Sequence, residues 1–101
     1  MVNARVTFAP QELERFARRW KVTQLALFGS ALRDDFNDDS DVDVLVTFAP
    51  DTHWNLLDLA TMQQELEQMF NRPVDLVEEA ALRNPFRRRE ILSTKQILYA
   101  A

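Results

Sequence analysis

Six of the ten residues from Asp34 to Asp43 are aspartate, and the chain's only glycine, Gly29, stands just upstream of them. The segment runs Leu25-Ala-Leu-Phe-Gly29-Ser30-Ala-Leu-Arg33-Asp-Asp-Phe-Asn-Asp-Asp-Ser40-Asp41-Val-Asp43-Val-Leu-Val-Thr-Phe48. Aspartate is depleted from strands, yet Asp41 and Asp43 open a β-branched run two residues apart, a spacing that puts both carboxylates on one face. Two unpaired carboxylates so placed repel, and a hard divalent cation relieves the repulsion, since Mg2+ takes carboxylate oxygens and brings substrate phosphates with it. A two-metal phosphoryl- or nucleotidyl-transfer site needs a third carboxylate. Asp75, which interrupts the apolar run Pro73-Val74-Asp75-Leu76-Val77, supplies one. A calcium EF-hand loop counted from Asp39 would need glycine and a carboxylate where Val44 and Pro50 stand, so that chemistry is excluded.

Each of these residues also has a plainer reading. Gly29 alone marks a tight turn after a buried strand, Asp41 and Asp43 a solvated strand entrance, and Asp75 an edge carboxylate facing water. Ser30 is an ordinary N-cap, or a hydroxyl at a helix start whose free N–H groups attract anions. Taken together, three strand-interrupting aspartates and the single glycine favour a metal and phosphate site.

The elements that must position them follow from periodicity. A first helix is predicted from Pro10 to about Trp20, with Leu13, Phe16, Ala17 and Trp20 on one face. Val22 to Phe28 reads as a buried strand, Ala31 to about Asp35 as a short helical turn, and Asp41 to Phe48 as a strand with Val42, Val44, Val46 and Phe48 on one face. Asp51 or Thr52 is the expected N-cap of a long helix from about Trp54 to Phe70. A short strand from Pro73 to Val77 follows, then a loop with one helical turn over 78–84. A last helix runs from Pro85 to about Thr94, and Gln96 to Tyr99 continues as strand or helix. Such a mixture gives an α+β fold, an α/β sandwich, in one domain spanning residues 1–101.

Composition sets the remaining bounds. Apolar residues at 47% and charged residues at 28% are ordinary for a globular protein, and the absence of cysteine excludes a disulfide scaffold, a thiolate metal site and a cysteine nucleophile. Without a signal-like apolar stretch at the N-terminus or a run long enough for a membrane span, the expected location is cytoplasmic, with no membrane partner. A formal charge of −4 argues against direct nucleic-acid binding but not against a phosphate substrate that arrives with metal. His53, alone, reads as structural or exposed. Arg87-Arg88-Arg89 reads as a solvated helix face that, with Arg83, also suits an acidic partner, and Tyr99 as packing.

Gly29-Ser30, ten residues, then Asp41-x-Asp43 at the start of a hydrophobic strand is the G-S-x(10)-D-x-D signature, and on it the chain resembles the DNA polymerase β-type nucleotidyltransferases. The size, Arg33 and Ser40 inside the motif, and the later Val-Asp-Leu-Val strand are similar to the minimal nucleotidyltransferases, the MNT antitoxins encoded beside HEPN-domain toxins. The resemblance spans about Val22 to Val77, and the ending from Asn84 through Tyr99 shares the family's look. Asp34 departs from it, standing where many relatives have glycine and adding negative charge beside the phosphates.

The resemblance implies a mixed sheet flanked by helices, with Gly29 letting the backbone approach a triphosphate and Ser30 donating to its β/γ oxygens. It further implies that Asp41, Asp43 and Asp75 hold two Mg2+ ions, Asp75 helping to deprotonate the attacking hydroxyl. Arg33 contacts phosphate or pairs with neighbouring aspartates, and Ser40 orders the loop. The implied activity is that of an antitoxin transferring AMP from ATP to a hydroxyl, a tyrosine, of a HEPN ribonuclease toxin. Two other readings stand beside it. One is a binder that neutralises the toxin without catalysis; the other is a small-molecule nucleotidyltransferase, for which this chain has no second domain to hold the acceptor. Apolar surface left over on so small a domain is expected to be covered by the partner in a hetero-oligomer.

Overall fold

The computed structural model of the chain describes residues 6–33, 37 and 39–101. The expectation attached to Asp34 lies outside the described residues. Helix α1 (Pro10–Arg19) leads into strand β1 (Val22–Phe28) and a 3-10 turn (Gly29–Leu32). Strand β2 (Val42–Phe48), helix α2 (Leu56–Phe70) and strand β3 (Val74–Glu78) follow. A second 3-10 turn (Glu79–Ala81), helix α3 (Pro85–Thr94) and strand β4 (Gln96–Ala100) complete the order. The sheet runs β3-β2-β1-β4, with β2 and β3 parallel and the other neighbours antiparallel. This is an α+β fold with a mixed sheet.

Helices cover both faces, which explains the sequence of β1. Leu25, Ala26, Leu27 and Phe28 are all buried in succession, because a central strand roofed on both sides has no solvent face to alternate with. On one side Leu13, Phe16 and Ala17 of α1 and Met62, Leu66 and Phe70 of α2 pack on Leu25, Leu27, Val42, Val44 and Val46. On the other, Ile91 of α3 and Leu82 pack on Ala26, Phe28 and Leu45. That second face also carries Asp43, since its neighbours Val42 and Val44 point to the first.

Several expectations are corrected. The helical turn expected from Ala31 is a four-residue 3-10 turn that begins at Gly29 itself. The cap of α2 is neither Asp51 nor Thr52. Asn55 Oδ1 accepts from the Asp58 N–H at 2.8 Å, and Asp58 Oδ2 accepts from the Asn55 N–H at 3.1 Å. This reciprocal box starts the helix at Leu56. Trp54 stays outside the helix because its ring meets Trp20 edge-on at 5.1 Å, while its Nε1 donates to the Trp20 carbonyl at 3.0 Å. Asp51 turns the chain at φ 64°, and Thr52 Oγ1 is buried with no partner among the described residues. The last segment is a strand, bonded to β1. No helix among the described residues is long and apolar enough to cross a membrane.

Candidate active site

β1 ends at Phe28, and Gly29, with a φ of +62°, turns the chain at the sheet's end. The antiparallel return of β2 sets Asp43 opposite Phe28. The carboxylate of Asp43 lies against the turn: its Oδ2 accepts the Ser30 N–H at 3.1 Å and stands 3.0 Å from Ser30 Oγ. The same hydroxyl is 3.0 Å from the Asp41 carbonyl oxygen, so its single proton serves one acceptor or the other. A Cβ on residue 29 would stand 2.6 Å from Asp43 Oδ2. The approach depends on the missing side chain as much as on the backbone angle.

β3 brings the third carboxylate. Its entry is fixed from two sides, by the Val42 N–H donating to the Pro73 carbonyl at 2.9 Å and the Val74 N–H donating to Glu67 Oε2 at 3.0 Å. In the resulting parallel register Asp43 pairs with Asp75, on the same face of the sheet and about 4.8 Å apart at the backbone. Asp75 and Asp41 are exposed and Asp43 is half-buried. The three aspartates, Gly29 and Ser30 thus share one end of the sheet.

Arg33 follows the 3-10 turn, is exposed, and closes it with its N–H on the Ser30 carbonyl at 3.1 Å. Ser40 Oγ accepts the Asn37 N–H at 3.2 Å, and the Asn37 side chain accepts the Asp39 N–H at 2.8 Å. Arg72 donates to the Asn37 carbonyl, tying this loop to the entrance of β3. Sequence reasoning singled out none of Asn37, Glu67 and Arg72; each acts through a backbone group, which leaves no pattern of residue types. His53 is exposed.

The donor set fits a hard divalent cation. All three candidates are carboxylates at one end of the sheet, Asp43 and Asp75 are paired in register, and the missing Gly29 Cβ lets the Asp43 carboxylate reach that end against the turn. The side chains are not gathered, however. Among the described residues no three acidic or histidine groups stand close enough to hold an ion.

Residues 11–98 match the family model described as a nucleotidyltransferase domain. The chain belongs to the nucleotidyltransferase family. A Methanocaldococcus jannaschii protein provisionally named a protein adenylyltransferase is 33% identical over 75 residues, covering 72% of each chain. The protein adenylyltransferase MntA of Thermococcus cleftensis is 35% identical over 66 residues, covering 65% of each. Among solved structures, one provisionally titled a minimal nucleotidyltransferase superposes with a TM-score of 0.68 at 29% identity, covering 89% of this chain and 87% of that one. A toxin–antitoxin complex with AMP-PNP superposes at 0.71 with 19% identity, covering 91% and 73%. A tri-AMPylated Shewanella oneidensis HEPN toxin in complex with its MNT antitoxin does so at 0.64 with 19% identity, covering 91% and 70%. At 19% these last two speak to the fold alone. The nucleotidyltransferase signature, Gly29-Ser30 and Asp41-x-Asp43, falls inside the matched residues.

Proposed function

We propose that this nucleotidyltransferase transfers AMP from ATP to a hydroxyl, that of a tyrosine, on a cognate HEPN ribonuclease toxin in the cytoplasm and so neutralises it. The register of Asp43 against Asp75, beside the Gly29-Ser30 turn, carries the reading, because it brings carboxylates from two strands to one end of the sheet. The adenylyltransferase name borne by the Thermococcus cleftensis relative supports AMP as the group transferred. Fold neighbours that include a toxin–antitoxin complex with AMP-PNP and an AMPylated HEPN toxin bound to its antitoxin accord with ATP and a HEPN partner.

In this reading Asp41, Asp43 and Asp75 hold Mg2+, two ions in the arrangement the signature implies. When bound, the metal polarises the α-phosphoryl oxygen and offsets charge on the leaving group. Ser30 donates its N–H and hydroxyl to phosphate oxygens, Gly29 lets the backbone come close, and Arg33, exposed where the turn ends, contacts phosphate. Ser40 holds the loop ahead of β2. The acceptor oxygen bonds to the α-phosphorus as the bridge to the β-phosphate breaks. Pyrophosphate leaves, and the hydroxyl proton goes to Asp75.

Label transfer tests this. The chain is purified with the product of its neighbouring gene and given Mg2+ with ATP labelled at the α or the γ phosphate. Intact mass is then read on both proteins. The expected result is α-label and one or more AMP units on the partner, absent with the D41A/D43A chain. A tight complex that gains neither label nor mass sinks the enzymatic reading and leaves neutralisation by binding alone.

A further inference from the structure

The same Asp43 oxygen accepts the Ser30 N–H, lies 3.0 Å from the Ser30 hydroxyl, which is equally close to the Asp41 carbonyl, and occupies the space that the absence of a Gly29 Cβ leaves open. An anionic oxygen held by an N–H and a hydroxyl at about 3 Å is the arrangement a phosphate oxygen would adopt there. We infer that Asp43 is a latch on the Ser30 donors, standing in for the phosphate until a divalent cation draws it away; the identity of that phosphate rests on the nucleotidyltransferase reading.

The two occupants compete, because each donor has a single proton and a phosphate oxygen that took both would leave Asp43 neither. Displacing Asp43 without metal leaves a bare carboxylate facing the incoming anion, and like charges at that range oppose binding. A hard cation removes both obstacles at once, taking the carboxylate oxygen and freeing Ser30. Metal and polyphosphate binding are therefore coupled through Ser30, each strengthening the other by the same factor. The ungathered carboxylates accord with this: the Asp43 oxygen that faces Ser30 is committed to the turn, and a cation that takes that oxygen draws it off Ser30. Asp75 provides the internal control. It carries the same charge on the same face, in register with Asp43, and is exposed with no bond to Ser30.

Inorganic tripolyphosphate binding to the full chain, measured by calorimetry in the presence of chelator, separates a latch from charge alone. Asp43→Ala is expected to bind about tenfold tighter than the unmodified chain, the scale of one charge-assisted hydrogen bond released. Asp75→Ala gains only a few-fold, and in a Ser30→Ala background the Asp43→Ala gain falls towards that of Asp75→Ala. Equal gains from the two aspartates, or an Asp43→Ala gain indifferent to Ser30, overturn the proposal. A second readout needs no nucleotide and checks folding in the same spectrum. On adding Mg2+ alone, the Ser30 amide resonance should move towards its position in Asp43→Ala and stay still in that variant. A Ser30 amide that ignores Mg2+ while that of Asp75 responds also overturns it. If no variant binds tripolyphosphate with or without Mg2+, the nucleotidyltransferase reading of the site falls, while the amide still decides the latch.

Discussion

Gly29 is constrained twice, by its backbone and by its neighbour. A left-handed φ of +62° costs any residue with a Cβ about 1–2 kcal/mol, and here that Cβ would also stand 2.6 Å from Asp43 Oδ2. The colliding atom ends a side chain, so Asp43 can swing aside, but only by giving up Ser30. Gly29→Ala is therefore expected to lower unfolding stability by about 1–2 kcal/mol for the backbone plus the lost bonds, read as a lower urea midpoint. Asp43→Ala added to it should cost less than it does alone, because the contact is already broken. Additive losses would mean that the two residues do not meet as described. At this scale the signature residues were legible from type and spacing, since the chain has one glycine, and Asp41 and Asp43 flank the first valine of a β-branched run. Their mutual bond was not. Ser30 was expected to serve a phosphate, and nothing in the spacing reveals that Asp43 reaches the same donors first.

At the scale of elements, the start of α2 shows why boundaries are harder to read than elements. Asp51, Thr52 and Asn55 are all of capping type, and what decides among them lies three residues on. From Asp51 that position is Trp54, which has no acceptor, and from Thr52 it is Asn55, whose side-chain oxygen is taken by the Asp58 N–H. From Asn55 it is Asp58, which closes the box. Asn55→Ala should cost about 1 kcal/mol of stability. Thr52→Val, which exchanges an unpartnered buried hydroxyl for a methyl of the same shape, should be neutral or stabilising by up to about 1 kcal/mol. Thermal melts of the two variants check both signs, and a Thr52→Val loss comparable to that of Asn55→Ala would reveal a bond to Thr52. By contrast α3 was legible to its ends, because Asn84 caps the N–H groups of Phe86 and Arg87 and Pro85 fits the first turn. Gln96 to Tyr99 was ambiguous, since only the open edge of β1 makes a strand of it.

On the scale of the whole molecule, the crossover through α2 sets β3 parallel to β2 and brings carboxylates far apart in sequence to one edge of a chain already carrying −4. No local pattern contains that register; it arises when α2 buries Met62, Leu66 and Phe70 and so fixes how far β3 can slide. The native state thus concentrates negative charge that the unfolded chain disperses, and a cation bound at that edge should stabilise it by mass action. At ten times its dissociation constant Mg2+ would add about 1.4 kcal/mol. For a domain of this size that raises the melting temperature by roughly 6–10 °C. Screening by any salt relieves some of the same repulsion, so the informative comparison is NaCl at matched ionic strength. Mg2+ is expected to exceed NaCl by most of that increment, and D43N/D75N should respond to the two salts alike. If the unmodified chain also melts identically in both, its aspartates form a screened acidic edge, and a metal role for Asp41, Asp43 and Asp75 is overturned without any activity being measured.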